Sequence, residues 1–158
     1  MNDDQRTQVR RLILEQRWAA LATLTQDGDP AISFVAYVPE PTFTGFLIHV
    51  SRLASHTHNM LARPSVALAI SETDAGDMDP QQLARITIHG TAFVIRRGTS
   101  DYISSRERYL TKLPQAEHLF EFEDFVLIRL LPREARYVGG FANAFTITAA
   151  QLEQISDV

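Results

Sequence analysis

The chain of 158 residues contains no cysteine, which excludes disulfides, iron–sulfur clusters and cysteine-based zinc sites. It also lacks an apolar run of the roughly 20 residues that a bilayer-spanning helix needs. The N-terminus, Met1-Asn2-Asp3-Asp4, is acidic, whereas a secretory signal begins with basic residues. These absences predict a cytoplasmic protein without a membrane-spanning segment, in which any redox chemistry comes from a bound cofactor.

A surplus of positive charge is missing as well. Lys and Arg number 15 against 19 Asp and Glu, so the net charge is −4 with histidine neutral. Because non-specific nucleic-acid binding depends on a basic surface, we do not expect a nucleic-acid partner. The motifs of nucleophile elbows, P-loops, dinucleotide folds and His-Glu-x-x-His zinc sites are also absent. We therefore expect a small-molecule ligand and no metal site.

What is present is the composition of an ordinary globular protein, with 45% hydrophobic and 22% charged residues. The length fits one domain spanning residues 1–158. Alternating apolar positions predict two strands at 19–25 and 31–38, joined in a hairpin by an Asp27-Gly28 turn. The same pattern predicts further strands at 43–50, 65–71, 83–95, 125–131 and 136–138.

Helices are predicted where apolar residues recur every three or four positions. The first begins at a cap formed by Asp3 or Asp4 and runs to about Gln16, and the last follows a Thr148 cap. The other helical segments are 51–62, 100–112 and 115–119. Six or so strands with peripheral helices predict an α+β fold that is mainly β, a six-stranded antiparallel barrel, because closure removes exposed sheet edges.

The segment from His49 to Asn59, His-Val-Ser-Arg-Leu-Ala-Ser-His-Thr-His-Asn, lies where a strand is followed by a helix. Unpaired N–H groups at a helix start favour phosphate, and the Ser51 hydroxyl and the Arg52 guanidinium add donors. Arg52, His56 and Asn59 have the spacing of one helix face. The plainer alternative is that Ser51 caps the helix and the other three form a solvated stripe.

Together with Asn59-Met-Leu-Ala-Arg-Pro64 and the strand Val66-Ala-Leu-Ala-Ile70, this segment resembles the flavin-phosphate segment of the pyridoxamine-phosphate-oxidase-like split barrels. The segments 85–92, 124–130 and 135–144 resemble the subgroup associated with heme utilisation. The resemblance extends from about residue 8 to about residue 146. It implies a split β-barrel that forms a homodimer, with FMN at the interface between the two copies.

Carried over residue by residue, the resemblance implies that Ser51 and Arg52 hold the FMN phosphate. Oxidases of the family have a lysine where this chain has Leu53 and an arginine where it has Ser33, so two cationic contacts are missing. His56 and Arg85 are the candidates that would replace them. The other implied cofactor contacts follow the second strand and the end of the third: Ser33, Phe34, Val35, Ala36, Ile48, His49 and Val50.

These expectations describe an FMN-dependent oxidoreductase acting on an unknown small molecule, with the chemistry supplied by the flavin and no catalytic side chain assigned. Two alternatives stay open: a heme-binding protein of heme utilisation, or a dimeric interaction module without a cofactor. The turn Gly139-Gly140-Phe141 is either a contact to a planar cofactor or a plain turn. Heme iron would be bound by one of five histidines, which are His49, His56, His58, His89 and His118.

Overall fold

One antiparallel sheet contains all eight strands found in residues 1–140 and 143–155, the part of the chain that the computed structural model describes. In chain order the strands are β1 (Trp18–Leu24), β2 (Pro30–Ala36), β3 (Val38–Pro39), β4 (Phe46–Ser51), β5 (Ser65–Ser71), β6 (Arg85–Val94), β7 (Phe125–Val138) and β8 (Ala144–Thr148). Their order across the sheet is β2-β1-β5-β6-β7-β4-β3, and β8 pairs with β7. The curled sheet and its helices form the α+β split barrel that the sequence predicts.

Four α-helices and two 3₁₀ segments complete the fold: α1 (Asp3–Glu15), α2 (Ser55–Ala62), α3 (Ser100–Lys112), α4 (Ala149–Ile155), Pro80–Gln82 and the cover segment, Pro114–Glu121. The cap of α1 is Asn2, whose side chain accepts a hydrogen bond from the Gln5 N–H, and not Asp3 or Asp4 as predicted. Among the described residues, no helix is both long enough and apolar enough to cross a bilayer.

The strand count is eight instead of six, because β3 and β8 were not predicted. In addition, the segments 125–131 and 136–138 are parts of one strand, β7. Proline usually interrupts a strand, but Pro132 pairs with Gly90 at a bulge, where the β6–β7 register shifts between His89 and Gly90. A Cβ atom on Gly90 would clash with the carbonyl oxygen of Leu131, so glycine allows the close approach at this bulge.

The turn before β4 explains why this strand begins at Phe46 and not at Phe43. The Glu40 N–H donates to the carbonyl oxygen of Gly45 at 2.8 Å, and the Phe43 N–H donates to that of Glu40 at 2.9 Å. Phe43 has a φ of 51°, in the left-handed region, yet its ring is buried and lies 6.4 Å from that of Phe46. The turn brings the Glu40 carboxylate into contact with Arg129 on β7.

The hydrophobic core consists of two clusters. The larger cluster joins the sheet to α1 and α4, and within it the Tyr37 hydroxyl donates to the carbonyl oxygen of Ile13 at 2.8 Å. The smaller cluster holds α3 and the cover segment against the sheet. Its buried members are Val38, Leu47, Ile95, Tyr109, Leu113, Phe120 and Leu127.

An ion-pair network around Arg129 fastens α3 to the sheet. The guanidinium donates to both carboxylate oxygens of Glu40, at 2.8 and 2.9 Å, and to both of Asp101, at 2.8 Å each. Arg108 of α3 also donates to Glu40, at 3.2 Å. The hydrogen bonds from Arg129 lower the pKa of Asp101. Because Glu40 is only 7% exposed, its charge depends on these two arginines.

Replacing Arg129 by Met should lower the free energy of unfolding by about 3–5 kcal/mol, because Glu40 then keeps a buried charge without its bidentate partner. Urea unfolding at neutral pH measures the loss. The control is Arg136→Met on the same strand, since Arg136 is exposed and its side chain bonds only weakly to Thr146, at 3.3 Å. A loss below about 1 kcal/mol for Arg129→Met would mean that hydrophobic packing alone secures α3.

Candidate functional site

A cleft of about 480 Å³ lies between β2, β4 and a wall formed by α3 and the cover segment. Its volume falls within the range of roughly 300–1,000 Å³ that is usual for small-molecule sites. The lining is mostly apolar. It consists of Trp18, Phe34, Val35, Ala36, His49, Val50, Ser51, Ala54, His56, Tyr109, Leu113, Gln115, Ala116 and Leu119.

Two aromatic rings form the most exposed part of the lining. Trp18 begins β1 and stacks on Phe34 of β2, with the ring centroids 6.0 Å apart and the planes 11° from parallel. Both side chains are more than half exposed, unlike the aromatic residues of the core. They therefore offer free apolar surface to a ligand or to another chain.

His49 lies deepest among the polar residues of the cleft. It is 8% exposed, and neither Nδ1 nor Nε2 has a hydrogen-bond partner among the described residues. Its ring stacks on Phe120 of the cover segment, with centroids 3.7 Å apart and planes 5° from parallel. Burial, together with the smaller effect of the charges of Arg97 and Arg106, lowers the pKa of His49 to about 4. The imidazole is therefore neutral at physiological pH.

His56 is the second histidine of the cleft. It lies in the first turn of α2 and is half-buried, its Nε2 has no hydrogen-bond partner within the described part of the chain, and burial lowers its pKa. The remaining three histidines are exposed and do not line the cleft: His58, His89 and His118. The structure thus brings together two of the five candidates for an iron ligand.

Ser51 is not a helix cap, because α2 begins at Ser55 with Ala54 as its N-cap. The Ser51 hydroxyl donates to the Asp124 carboxylate at 2.6 Å and accepts the Leu53 N–H at 3.1 Å. Arg52 precedes the helix, so the predicted face that it shares with His56 and Asn59 does not form. The site predicted for phosphate therefore contains a carboxylate, and the helix begins four residues after Ser51, where its N-cap Ala54 offers no side-chain hydrogen bond.

Seven of the eleven predicted cofactor residues line the cleft: Phe34, Val35, Ala36, His49, Val50, Ser51 and His56. Ser33 and Ile48 lie on the same strands but outside the lining, and Ile48 is fully buried in the core. Arg52 is exposed beside Ser51 and does not line the cleft either. Whether any of these residues contacts FMN stays a prediction.

Arg85 lies far from the cleft of its own chain. It pairs with Val138 at one end of β7, whereas Ser51 pairs with Phe125 at the other end. The Arg85 guanidinium donates instead to the carbonyl oxygens of Gln81 and Leu83, each at 3.1 Å. It therefore does not replace a missing cation next to Ser51 of the same chain.

Sequence reasoning missed the wall that faces the strands. Tyr109, Leu113 and Ala116 stand four and three residues apart, which is the spacing of one helix face, but Pro114 ends the helix between them. Reading that spacing across the proline would have indicated a continuous apolar wall. Of the predicted Gly139-Gly140-Phe141 turn, Gly140 has a φ of 94°, and Phe141 lies outside the described residues.

The family described as pyridoxamine 5'-phosphate oxidase matches residues 6–139. The match covers most of the sequence and agrees with the split-barrel fold and with the resemblance described above. The chain therefore belongs to the pyridoxamine 5'-phosphate oxidase family.

Three relatives are named for heme. The noncanonical chloroplastic heme oxygenase HOZ of Arabidopsis thaliana is 36% identical over 127 residues, which are 79% of this chain and 37% of that protein. The heme oxygenase HutZ of Vibrio cholerae is 22% identical over 146 residues, 92% of this chain and 82% of that protein. A heme-binding protein from Mycobacterium smegmatis has a similar structure, with a TM-score of 0.85, 27% identity, and coverage of 98% of this chain and 62% of that one. The chain thus spans under two thirds of two of these relatives.

The buried neutral histidines should make stability depend on pH between 6.5 and 5. Their folded-state pKa values lie below 6.5, so the unfolded chain binds more protons in this range and stability falls as the pH is lowered. The slope for one such group approaches about 1.4 kcal/mol per pH unit. When urea unfolding is repeated across this pH range, the free energy of unfolding of His49→Leu should change less with pH than that of wild type. The exposed control His58→Leu should show the wild-type dependence on pH. Equal slopes in both variants would contradict a buried neutral His49.

Proposed function

We propose that this chain binds heme in the cleft and does so as a homodimer. The observation that carries the proposal is a mostly apolar cleft with two histidines, His49 and His56, whose buried ring nitrogens have no partner in the described structure. Neutral imidazole is a common ligand of heme iron, and an apolar cleft suits the faces of a porphyrin. The names of the three relatives support the same ligand.

FMN is the second candidate, because the family is named for a flavin-type oxidase fold and a cleft edged by aromatic rings suits an isoalloxazine. The phosphate of FMN is the part of the cofactor that this site suits least. The Ser51 hydroxyl is already bonded to Asp124, so a phosphate at Ser51 would lie beside a carboxylate of the same sign. Heme needs no phosphate site at Ser51. We therefore rank heme binding above the flavin-dependent oxidoreductase, and above a cofactor-free module that would leave the histidines unexplained.

The chain's own residues would bind and orient the porphyrin. Heme supplies an iron centre at which dioxygen chemistry takes place. Trp18 and Phe34 offer apolar contact at the exposed side, and Tyr109 excludes water on the opposite wall. Arg106, whose guanidinium lies 5.2 Å from the ring centroid of Phe120, is a cation for a propionate carboxylate. Because two relatives are named heme oxygenases, heme degradation is the activity to assay, and a cytoplasmic location stays a prediction.

Titration with hemin should give a saturable Soret band, and FMN at the same concentrations should leave the flavin spectrum unchanged. Ala54→Leu places a larger side chain in the cleft and should weaken hemin binding by about tenfold or more, since overpacking costs about 1–3 kcal/mol. The matched control is Ala149→Leu, a half-buried alanine of α4 away from the cleft. Tight FMN uptake, or hemin binding that Ala54→Leu does not affect, would contradict the proposed site.

A second copy of the chain is the partner we propose for the exposed face of β2. Ile32 and Phe34 point to the same side of this strand, which ends the strand order and so has one unpaired edge. Phe34 and Trp18 belong both to this surface and to the cleft. A partner packed there would cover exposed apolar area and close the cleft, as the family resemblance implies for a cofactor at the dimer interface.

Ile32→Glu should convert the dimer to a monomer in sedimentation at micromolar concentration, because it places a charge in the interface. Ile103→Glu is the matched control, since Ile103 on α3 is 64% exposed and Ile32 is 71% exposed. This control should remain dimeric. A monomeric wild-type protein, or dissociation by Ile103→Glu in place of Ile32→Glu, would refute the proposed interface.

A further inference from the structure

No hydrogen bond reaches the His49 side chain from any residue that the structure describes. An unpaired buried polar group costs about 1–3 kcal/mol, and most such groups in native proteins are paired. Both ring nitrogens of His49 are buried, yet the residue lines the cleft. His49 is therefore a candidate for a bond to a molecule that enters the cleft.

The side chains around His49 fix the orientation of its ring without occupying its nitrogens. Phe120 stacks on the ring, and the ring centroids of Tyr109 and Phe125 lie 6.0 and 5.2 Å away. Stacking covers a face of the imidazole, whereas the nitrogen lone pair lies in the ring plane, so Phe120 does not occupy the direction of ligation; because both nitrogens are buried, ligation requires the side chains around the ring edge to move. A leucine or phenylalanine would fill this apolar site without an unpaired polar atom, so packing alone does not account for a histidine.

The charges near His49 also suit an iron porphyrin with carboxylate side chains. Burial, Arg97 and Arg106 keep the imidazole neutral, which is the form that ligates a metal. Arg97 donates to the carbonyl oxygens of Phe122 and Phe125, at 2.7 and 3.1 Å. Arg106 lies outside the cleft lining, with its guanidinium 5.2 Å from the ring centroid of Phe120, and it takes part in none of the salt bridges among the described residues; only a carboxylate that extends beyond the cleft would reach it.

We propose that His49 ligates the iron of the heme bound in the cleft. This assignment rests on the proposed function, because it requires heme to bind there. His56 is the competing histidine, but it is half-buried, and of its ring nitrogens only Nε2 is buried without a partner. His49 is the more buried of the two and its ring is held by three aromatic neighbours.

The experiment compares hemin-loaded wild type, His49→Leu and His56→Leu by absorption and electron paramagnetic resonance spectroscopy. His49→Leu should fold at least as stably as wild type, which thermal unfolding checks, because it removes an unpaired polar group. Its hemin affinity should fall by about tenfold or more, with loss of the spectrum of histidine-ligated heme. The His56→Leu protein should keep the spectrum of histidine-ligated heme even where its hemin affinity changes, and the exposed control His58→Leu should match wild type in both. Free imidazole added to hemin-loaded His49→Gly should restore that spectrum.

Failure of the assignment is distinguishable from failure of heme binding itself. If the wild-type protein does not bind hemin, the proposed function is wrong and the assignment falls with it. If wild type binds hemin and His49→Leu keeps the same spectrum, heme binding stands and the assignment is wrong. A change confined to His56→Leu would transfer the ligand role to His56 and overturn the assignment to His49.

Discussion

The cleft depends on Arg129, because this residue fixes the helix that forms one of its walls. Arg129 is partly buried, so its charge must be compensated, and here two carboxylates, from Glu40 and Asp101, each accept two hydrogen bonds from it. Asp101 lies in the first turn of α3. Once that turn is held on β7, the rest of α3 brings Tyr109 opposite His49. The electrostatic network thus decides where the apolar wall stands.

The strands on the other side of the cleft were predictable, because short apolar segments bounded by turn residues specify β1, β2 and β4 locally, although β4 begins at Phe46 and not at residue 43. The start of α2 was not. The Arg52 N–H donates to the Asp124 carbonyl oxygen at 2.6 Å, and the Ser51 carbonyl oxygen accepts the Thr57 hydroxyl at 2.6 Å, so Ser51 and Arg52 stay outside the helix. Asp124 lies 73 residues from Ser51 in the sequence, and no local sequence pattern predicts a hydrogen bond between residues so far apart. For the same reason the sequence predicted helix α3 but not the surface that it covers.

The family fold permits more than one planar ligand, so the choice between flavin and heme depends on a few side chains. A flavin mononucleotide needs cations and donors at its phosphate, and here Leu53 stands at one expected cation while Asp124 occupies the Ser51 hydroxyl. Heme needs an apolar cleft and a neutral imidazole, which β4 and the burial of His49 provide. Our proposal of heme over flavin therefore rests on positions only a few residues apart in the same sheet.

The cover segment links the stability of the wall to the ligand site. Phe120 is the only residue of this segment that is buried, and its ring is also the one that stacks on His49. A segment with one buried anchor opens more easily than one with a continuous core face, even where the neighbouring helix α3 is firmly held. The imidazole that it covers has no partner for its nitrogens among the described residues, and an unpaired buried polar group lowers stability. A loosely anchored segment thus covers a histidine that lacks hydrogen-bond partners. This combination is expected where a protein gives up stability for binding, and not where a side chain serves only to fill the core.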